Sequence, residues 1–185
     1  MKIKTRSMIL VSLFTSLTAI GAFIRIPVGT VPITLQFMFI ALGAILLGPK
    51  LGALSQIIYV ALGLIGIPIF TEGGGLGYIF KPSFGYLLGF ILGAYIIGYI
   101  ISKYKKVNFI LIFLACIAGV LIVYVVGVPY LYLVLKYVMG ANINFYKAIQ
   151  IGFIVFIPGD ILKCVLTALI GVKVIPVLKK YKERA

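Results

Sequence analysis

Asp160 and Lys163 stand three residues apart in Pro158-Gly-Asp-Ile-Leu-Lys163, within a long stretch that carries no other charge. On a helix that spacing puts both side chains on one face. An ionisable residue in an apolar span faces the bundle interior or a cavity and pairs with another. Two readings follow. The pair closes the helix start, with Asp160 favoured by the positive end of the helix dipole. Alternatively, it offers a carboxylate and an ammonium to a polar ligand held between helices. The chain has no His, and its only acids are Glu72, Asp160 and Glu183. That removes His-based acid–base catalysis, His-containing nucleophilic triads and His metal sites. Cys116 and Cys164 lie far apart in apolar runs and form no CxxC pair. No GxxxxGK[ST] motif occurs, so no phosphate loop is encoded. A membrane enzyme would have to work with Asp160 and Lys163 alone. The residue supply fits binding: no catalytic set, no metal set and no cofactor site is expected.

The elements that must position this pair are membrane helices. Of the 185 residues, 63% are hydrophobic and only 11% are charged, against about 25% charged in soluble domains. Seventeen Lys and Arg give a net charge of +14. A basic balance of that size otherwise suggests nucleic acid; here it reads as orientation in a bilayer, with no nucleic-acid partner. A crossing needs about 20 apolar residues. The uncharged runs predict an all-α, polytopic fold of six transmembrane helices in a single domain spanning 1–185. The helices are expected near 7–24, 33–48, 50–67, 82–102, 107–127 and 158–178. The last starts at Pro158, since Pro suits a first helical turn. Residues 128–157 then form a long connection with short interfacial or re-entrant helices; a continuous helix through Pro158 is the rival. Twelve of the cations, among them Lys2, Lys4, Arg6, Lys50, Lys103 and the C-terminal group with Lys179, Lys180, Lys182 and Arg184, fall on one side of this arrangement. The positive-inside rule makes that side cytoplasmic and both termini with it. The first segment is read as a span and not as a cleaved leader, because five more follow.

Polar and conformationally unusual residues collect at the opposite ends. Gly73, Gly74, Gly75 and Gly77 precede Tyr78; glycines allow close backbone approach to a ligand, or a merely flexible turn. Lys81 and Ser83 flank Pro82 at a helix start whose free N–H groups favour anions. They are candidates for holding a carboxylate, against Lys81 as a solvated anchor. Gln36, with Thr34, either caps helix 2 or reaches a cavity. Tyr78, Phe80, Phe84 and Tyr86 read as interfacial belt residues, one or two of which can sandwich an apolar ring. Arg25 is expected to snorkel and Glu72 to be solvated. In helix 1, Ser12 and Ser16, Thr15 and Ala19, and Thr18 and Ala22 are each four apart. Such small faces permit close helix approach, within the bundle or to another membrane subunit, with Thr15 and Ala19 as the docking candidates.

Val31-Pro-Ile-Thr-Leu-Gln36, Leu47-Gly-Pro-Lys-Leu-Gly-Ala53, the Gly-rich stretch to Gly85-Tyr-Leu-Leu-Gly-Phe90 and Pro158-Gly-Asp-Ile-Leu-Lys163 together resemble the biotin-specific substrate-binding components of energy-coupling factor transporters, the BioY family, over about residues 8–178. The resemblance implies a six-helix, multi-pass protein of the bacterial cell membrane that binds biotin from outside. It implies a transmembrane coupling subunit and two cytoplasmic ATPases as partners. It places the family's acid and lysine on Asp160 and Lys163, its Gly-rich third loop on Gly73 to Tyr78, and its small helix 1 motif on or near Thr15 and Ala19. Where the family commonly has Gly-Pro-Thr-Gly-Gly-Tyr, this chain has Lys81 and Phe84 in Phe80-Lys-Pro-Ser-Phe-Gly-Tyr86. The same architecture with another vitamin-like ligand, or an autonomous facilitator, are the alternative readings.

Overall fold

Long apolar runs with few charges satisfy their backbone polar groups internally as helices, and the computed structural model is built almost wholly of them. It describes residues 5–27, 29 and 31–183. Lys2, Lys4 and Arg184 of the expected cytoplasmic cations lie outside these residues, as do the side chains of Lys179, Lys180 and Lys182. Seven α-helices follow in order: α1 (Thr5–Phe23), α2 (Gln36–Leu47), α3 (Pro49–Leu64), α4 (Phe84–Ser102), α5 (Phe109–Leu133), α6 (Phe145–Gly152) and α7 (Ile157–Glu183). A two-residue antiparallel ladder, β1 (Arg25–Ile26) and β2 (Ile33–Thr34), pairs Arg25 with Thr34.

Several boundaries differ from expectation, each for a local reason. Helix 2 begins at Gln36 and not at residue 33, because Ile33 and Thr34 are drawn into the ladder. Helix 3 stops at Leu64, just before Gly66 with its φ of 108° and Pro68. At about 1.5 Å per residue, the 12 residues of α2 and 16 of α3 fall short of a roughly 30 Å hydrocarbon core. Among the described residues, four helical stretches are long and apolar enough to cross a membrane: Thr5–Phe23, Phe84–Ser102, Phe109–Val138 and Phe145–Pro176. The connection expected over 128–157 is largely helix. α5 runs straight through Pro129 and continues as a π-helical turn, Val134–Val138. Proline inside an apolar helix is tolerated where neighbouring groups and local π geometry take up the freed carbonyl. Only 139–144 separates that turn from α6, whose start is capped by the Asn144 side chain on the Lys147 N–H at 2.8 Å. Phe153 and a short 3-10 turn, Ile154–Phe156, then lead into α7, which starts at Ile157 with Pro158 in its first turn.

The bundle closes through small residues. A Cβ on Gly89 of α4 would sit 2.8 Å from Val123 Cα of α5, and one on Gly93 would sit 3.0 Å from the Gly119 carbonyl oxygen. Only glycine permits this backbone approach, the membrane counterpart of tight core packing. Thr15 is also part of this interior and is not a free docking residue. It is buried, and its hydroxyl reaches the Val11 carbonyl at 3.0 Å and the Ser55 carbonyl of α3 at 2.9 Å. Thr18 is buried beside it and accepts from Gln56 Nε2 at 3.2 Å. Ala19 is half-buried against the core, whereas Ser12 and Ser16 are exposed.

Gly89→Ala is expected to destabilise the bundle by roughly 1–3 kcal/mol through overpacking against α5 backbone. Gly77→Ala, whose Cβ would meet open space, is expected to leave the unfolding midpoint unchanged. Thermal unfolding of the two variants in detergent checks both.

Candidate functional site

The polar residues at one end of the bundle surround an open cavity, whose empty space of about 610 Å³ includes solvent at its mouth. Its wall is assembled from the β2 strand with Val31 and Pro32, the start of α2, Thr71, Tyr78, the start of α4, the middle of α5, Phe156 and the start of α7. Most of that wall is apolar: Phe37, Leu87, Phe90, Val120, Val123 and Phe156 contribute side chains. Two polar groups interrupt it.

The first is the charge pair. Lys163 Nζ donates to Asp160 Oδ1 at 2.5 Å, with the side chains only 8% and 14% exposed. The Tyr124 hydroxyl donates to Asp160 Oδ2. α7 thus supplies both charges from one face, and α5 supplies a hydroxyl that holds the carboxylate. Tyr124 is itself held by rings: Phe153 lies edge-on at 4.7 Å and Tyr86 at 6.2 Å between centroids. The Tyr86 hydroxyl donates to the Gly152 carbonyl at 2.7 Å, which ties α4 to the end of α6 just before α7 begins. The carboxylate oxygens still have lone pairs and the ammonium has hydrogens to spare, and both residues line the cavity. The pair can therefore accept and donate at one place on a ligand.

The second polar group is neutral. Gln36 Nε2 donates to the Tyr59 hydroxyl at 2.9 Å, Thr34 donates to Gln36 Oε1 at 3.0 Å, and Tyr59 donates to the Ile69 carbonyl at 2.8 Å. Gln36 thus both lines the cavity and ties the loop after α3 to α2. Next to it, the hydroxyls of Thr71, Tyr78 and Ser83 bond to one another. Phe70 fixes this loop. Its ring lies flat on Gly63, where a Cβ would come within 2.0 Å of Phe70 Cζ, and contacts Tyr59 and Tyr78 at centroid distances of 5.4 and 4.5 Å.

Of the expected ligand-binding residues, Asp160, Lys163, Gln36, Tyr78 and Ser83 meet at the cavity wall. Gly74, Gly75, Gly77 and Lys81 do not. Two of the glycines have a role in the loop's own backbone: Gly75 takes a φ of 96°, and a Cβ on Gly74 would strike the Ile67 carbonyl oxygen at 2.4 Å. Lys81 forms a surface ion pair with Glu72 at 3.1 Å, so Glu72 is not merely solvated. Arg25 does not simply snorkel but donates from Nη1 to the Thr71 carbonyl, joining the two loops at the cavity rim. Residue-by-residue reading passed over Tyr124, Phe156 and the face of α5. Yet Tyr124 carries the only hydroxyl in the apolar run 109–129, a usable signal.

The BioY family model matches residues 1–180. The chain belongs to the BioY family. It is 40% identical over 178 residues to the probable biotin transporter BioY of Lysinibacillus sphaericus, covering 95% of this chain and 89% of that protein. It is 40% identical over 174 residues to the biotin transporter BioY of Thermotoga maritima, covering 91% and 95%. In structure it is similar to the S-component for biotin from an ECF-type ABC transporter, with a TM-score of 0.81, 32% identity, and 92% and 91% of the two chains covered. These BioY relatives span nearly the whole chain, so the cavity lies within the shared fold.

Breaking a buried ion pair by removing one partner leaves an uncompensated charge and costs about 3–5 kcal/mol. Asp160→Asn or Lys163→Met alone is therefore expected to lower the unfolding midpoint more than the double variant does. Thermal unfolding of all three in detergent, without added ligand, measures the difference.

Proposed function

We propose that this chain is the substrate-binding membrane subunit of an energy-coupling factor importer, capturing biotin outside the bacterial cell membrane for delivery inward. The observation that carries the reading is the Asp160–Lys163 pair in the wall of an otherwise apolar cavity, in a chain of the BioY family. Biotin's ureido group places two N–H donors beside one carbonyl acceptor. Asp160 accepts from the N–H groups and Lys163 donates to the carbonyl. The fused rings and aliphatic chain lie against Phe90, Val120, Val123 and Phe156. Nothing in this arrangement activates a nucleophile or cleaves a bond, so the chain is a transport protein and not an enzyme.

In this reading six helices lie across the bilayer, of which α2 and α3, meeting at Gly48–Pro49, are the short pair that spans it only in part, and both termini are cytoplasmic. The twelve cations on one side support that orientation. Uphill uptake needs an energy source, and no phosphate loop is encoded; a transmembrane coupling subunit and two cytoplasmic ATPases supply it. The coupling subunit docks along the outward face of α1, where Ser12 and Ser16 are exposed one turn apart and Ala19 lies at the edge.

Loss of one member of a buried polar pair costs about 2–5 kcal/mol of binding, so Asp160→Asn and Lys163→Met are each expected to weaken biotin binding tenfold or more. Calorimetric titration of detergent-purified protein decides; near-native affinity in both variants rejects the assignment of the ureido group to α7.

Ser12→Leu with Ser16→Leu is expected to abolish ATP-dependent biotin uptake in vesicles holding all subunits, while binding to the purified subunit persists. Equal loss of binding and uptake places this face inside the fold's own function instead. Biotin accumulation against a gradient by the lone subunit overturns the need for partners.

A further inference from the structure

The end of the bundle away from the cavity gathers positive charge. α4 starts at the cavity wall, where Ser83 and Tyr86 line it, and ends at Ser102. The turn from there to α5 carries Lys103, Lys105 and Lys106, all exposed. Two helix contacts bring further cations to the same end. A Cβ on Gly98 of α4 would sit 2.6 Å from the Pro49 nitrogen, next to exposed Lys50. A Cβ on Gly171 of α7 would sit 3.0 Å from Ile112 Cδ1 near the start of α5, and exposed Lys173 follows two residues later. Among the described side chains the acids are Glu72, paired with Lys81, and Asp160, paired with Lys163. Both lie at the cavity end. Five cations thus share an end at which no described side chain is acidic, and such a field attracts an anion.

One of these cations ends a stripe of apolar and aromatic side chains. Leu92, Tyr95, Tyr99 and Lys103 follow one another at spacings of three, four and four, which is one face of a helix. Leu92, Tyr95 and Tyr99 are 51%, 41% and 45% exposed. The two tyrosine rings are stacked, with centroids 6.4 Å apart and planes 11° apart. Lys103 Nζ lies 4.8 Å from the centroid of the Tyr99 ring. Attraction to a ring face positions an ammonium without neutralising it. From Leu92 to Lys103 the stripe rises about 16 Å at about 1.5 Å per residue, roughly half of a 30 Å hydrocarbon core. It is as long as one leaflet is deep.

We propose that this face of α4 and the turn after it bind an anionic phospholipid, with an acyl chain along Leu92, Tyr95 and Tyr99 and the headgroup phosphate on Lys103 and Lys106. On the orientation proposed above the lipid belongs to the cytoplasmic leaflet; the biotin reading is not needed. Charge complementarity selects the occupant. A zwitterionic headgroup brings its own cation to the lysines and so gains less from them. A free phosphate leaves the rings without a partner. The platform is fixed, because the backbones of α4 and α5 touch at Gly89 and Gly93, and Tyr99 holds the Lys103 ammonium at the end of the chain's track.

Native mass spectrometry of the detergent-purified chain tests this. The chain is titrated with phosphatidylglycerol, with phosphatidylcholine of the same acyl chains, and with phosphatidylglycerol in the presence of glycerol phosphate. Wild type is expected to bind the first phosphatidylglycerol about tenfold or more tightly than phosphatidylcholine. Lys103→Gln with Lys106→Gln is expected to weaken phosphatidylglycerol by about fivefold per lysine and to leave phosphatidylcholine unchanged. Tyr95→Ala with Tyr99→Ala is expected to weaken both lipids. Lys136→Gln with Lys147→Gln removes the same charge from exposed positions at the other end and is expected to keep the preference. Equal affinity of wild type for the two lipids overturns the site, with no variant required. Equal damage from the two lysine pairs reduces the effect to net charge and also overturns it. Displacement of the lipid by an equal concentration of glycerol phosphate assigns the lysines to a free phosphate and rejects the lipid. None of these titrations contains biotin, so failure here and failure of the biotin reading are separate results.

Discussion

A carboxylate and an ammonium placed among apolar helices are each costly to strip of water, and only their mutual contact with further hydrogen bonds offsets that cost. The Asp160–Lys163 pair imposes this condition on the whole of one end of the bundle. Spacing on α7 brings the two charges together, but one contact does not satisfy a carboxylate. The second oxygen takes the hydroxyl of Tyr124, so α5 must pass beside the start of α7. The Tyr124 ring in turn needs walls, which come from Phe153 and Tyr86. The Tyr86 hydroxyl then needs an acceptor and finds the Gly152 carbonyl. A chain of local requirements thus links α4, α5, α6 and α7 around one charge.

The rest of the cavity wall is organised differently, because the residues that line it there carry no charge. There α2 and α3 are short, and the chain on either side of them is not helical. Irregular backbone at such a place is tolerated when it is buried in protein or lines a cavity. Both conditions apply: Phe70 buries the loop after α3 against Gly63, and Thr71, Tyr78 and the β2 strand form cavity wall. Shortening two helices is what leaves room for the polar cluster of Gln36, Tyr59, Thr71, Tyr78 and Ser83. The two loops are joined at their rim by Arg25 on the Thr71 carbonyl.

How far this was legible in the sequence depends on the range of the interaction concerned. Asp160 and Lys163 were legible because both lie on one helix, where spacing alone places them on one face. Gln36 and Ser83 were legible as polar residues at helix starts. Lys81 was misplaced because its partner Glu72 sits nine residues away across a folded loop, a distance that no local pattern encodes. The glycines of the same loop announce unusual backbone, yet nothing in their spacing tells a ligand cradle from a loop that must bend onto Gly63. Thr15 and Ser16 are neighbours in sequence, and only the packing of α1 on α3 decides that the first turns inward to Ser55 while the second faces out. The extent of α5 was hidden by Pro129, whose usual effect is to end a helix in water; here the apolar run simply continues around it. Tyr124 was missed because aromatic residues are common in membrane helices, and its role depends on a carboxylate 36 positions later.

The contrast between the two polar groups bears on how a binding subunit without an engine can both hold and release a ligand. A fixed charge pair gives directional recognition, and Asp160 and Lys163 remain mutually satisfied when the ligand is absent. The hydroxyls of Thr71, Tyr78 and Ser83 likewise bond to one another. Neither group is stranded in the empty state, so the empty cavity has no buried charge demanding a replacement. The ion pair on which the rest of the bundle is built is thus complete before any ligand enters.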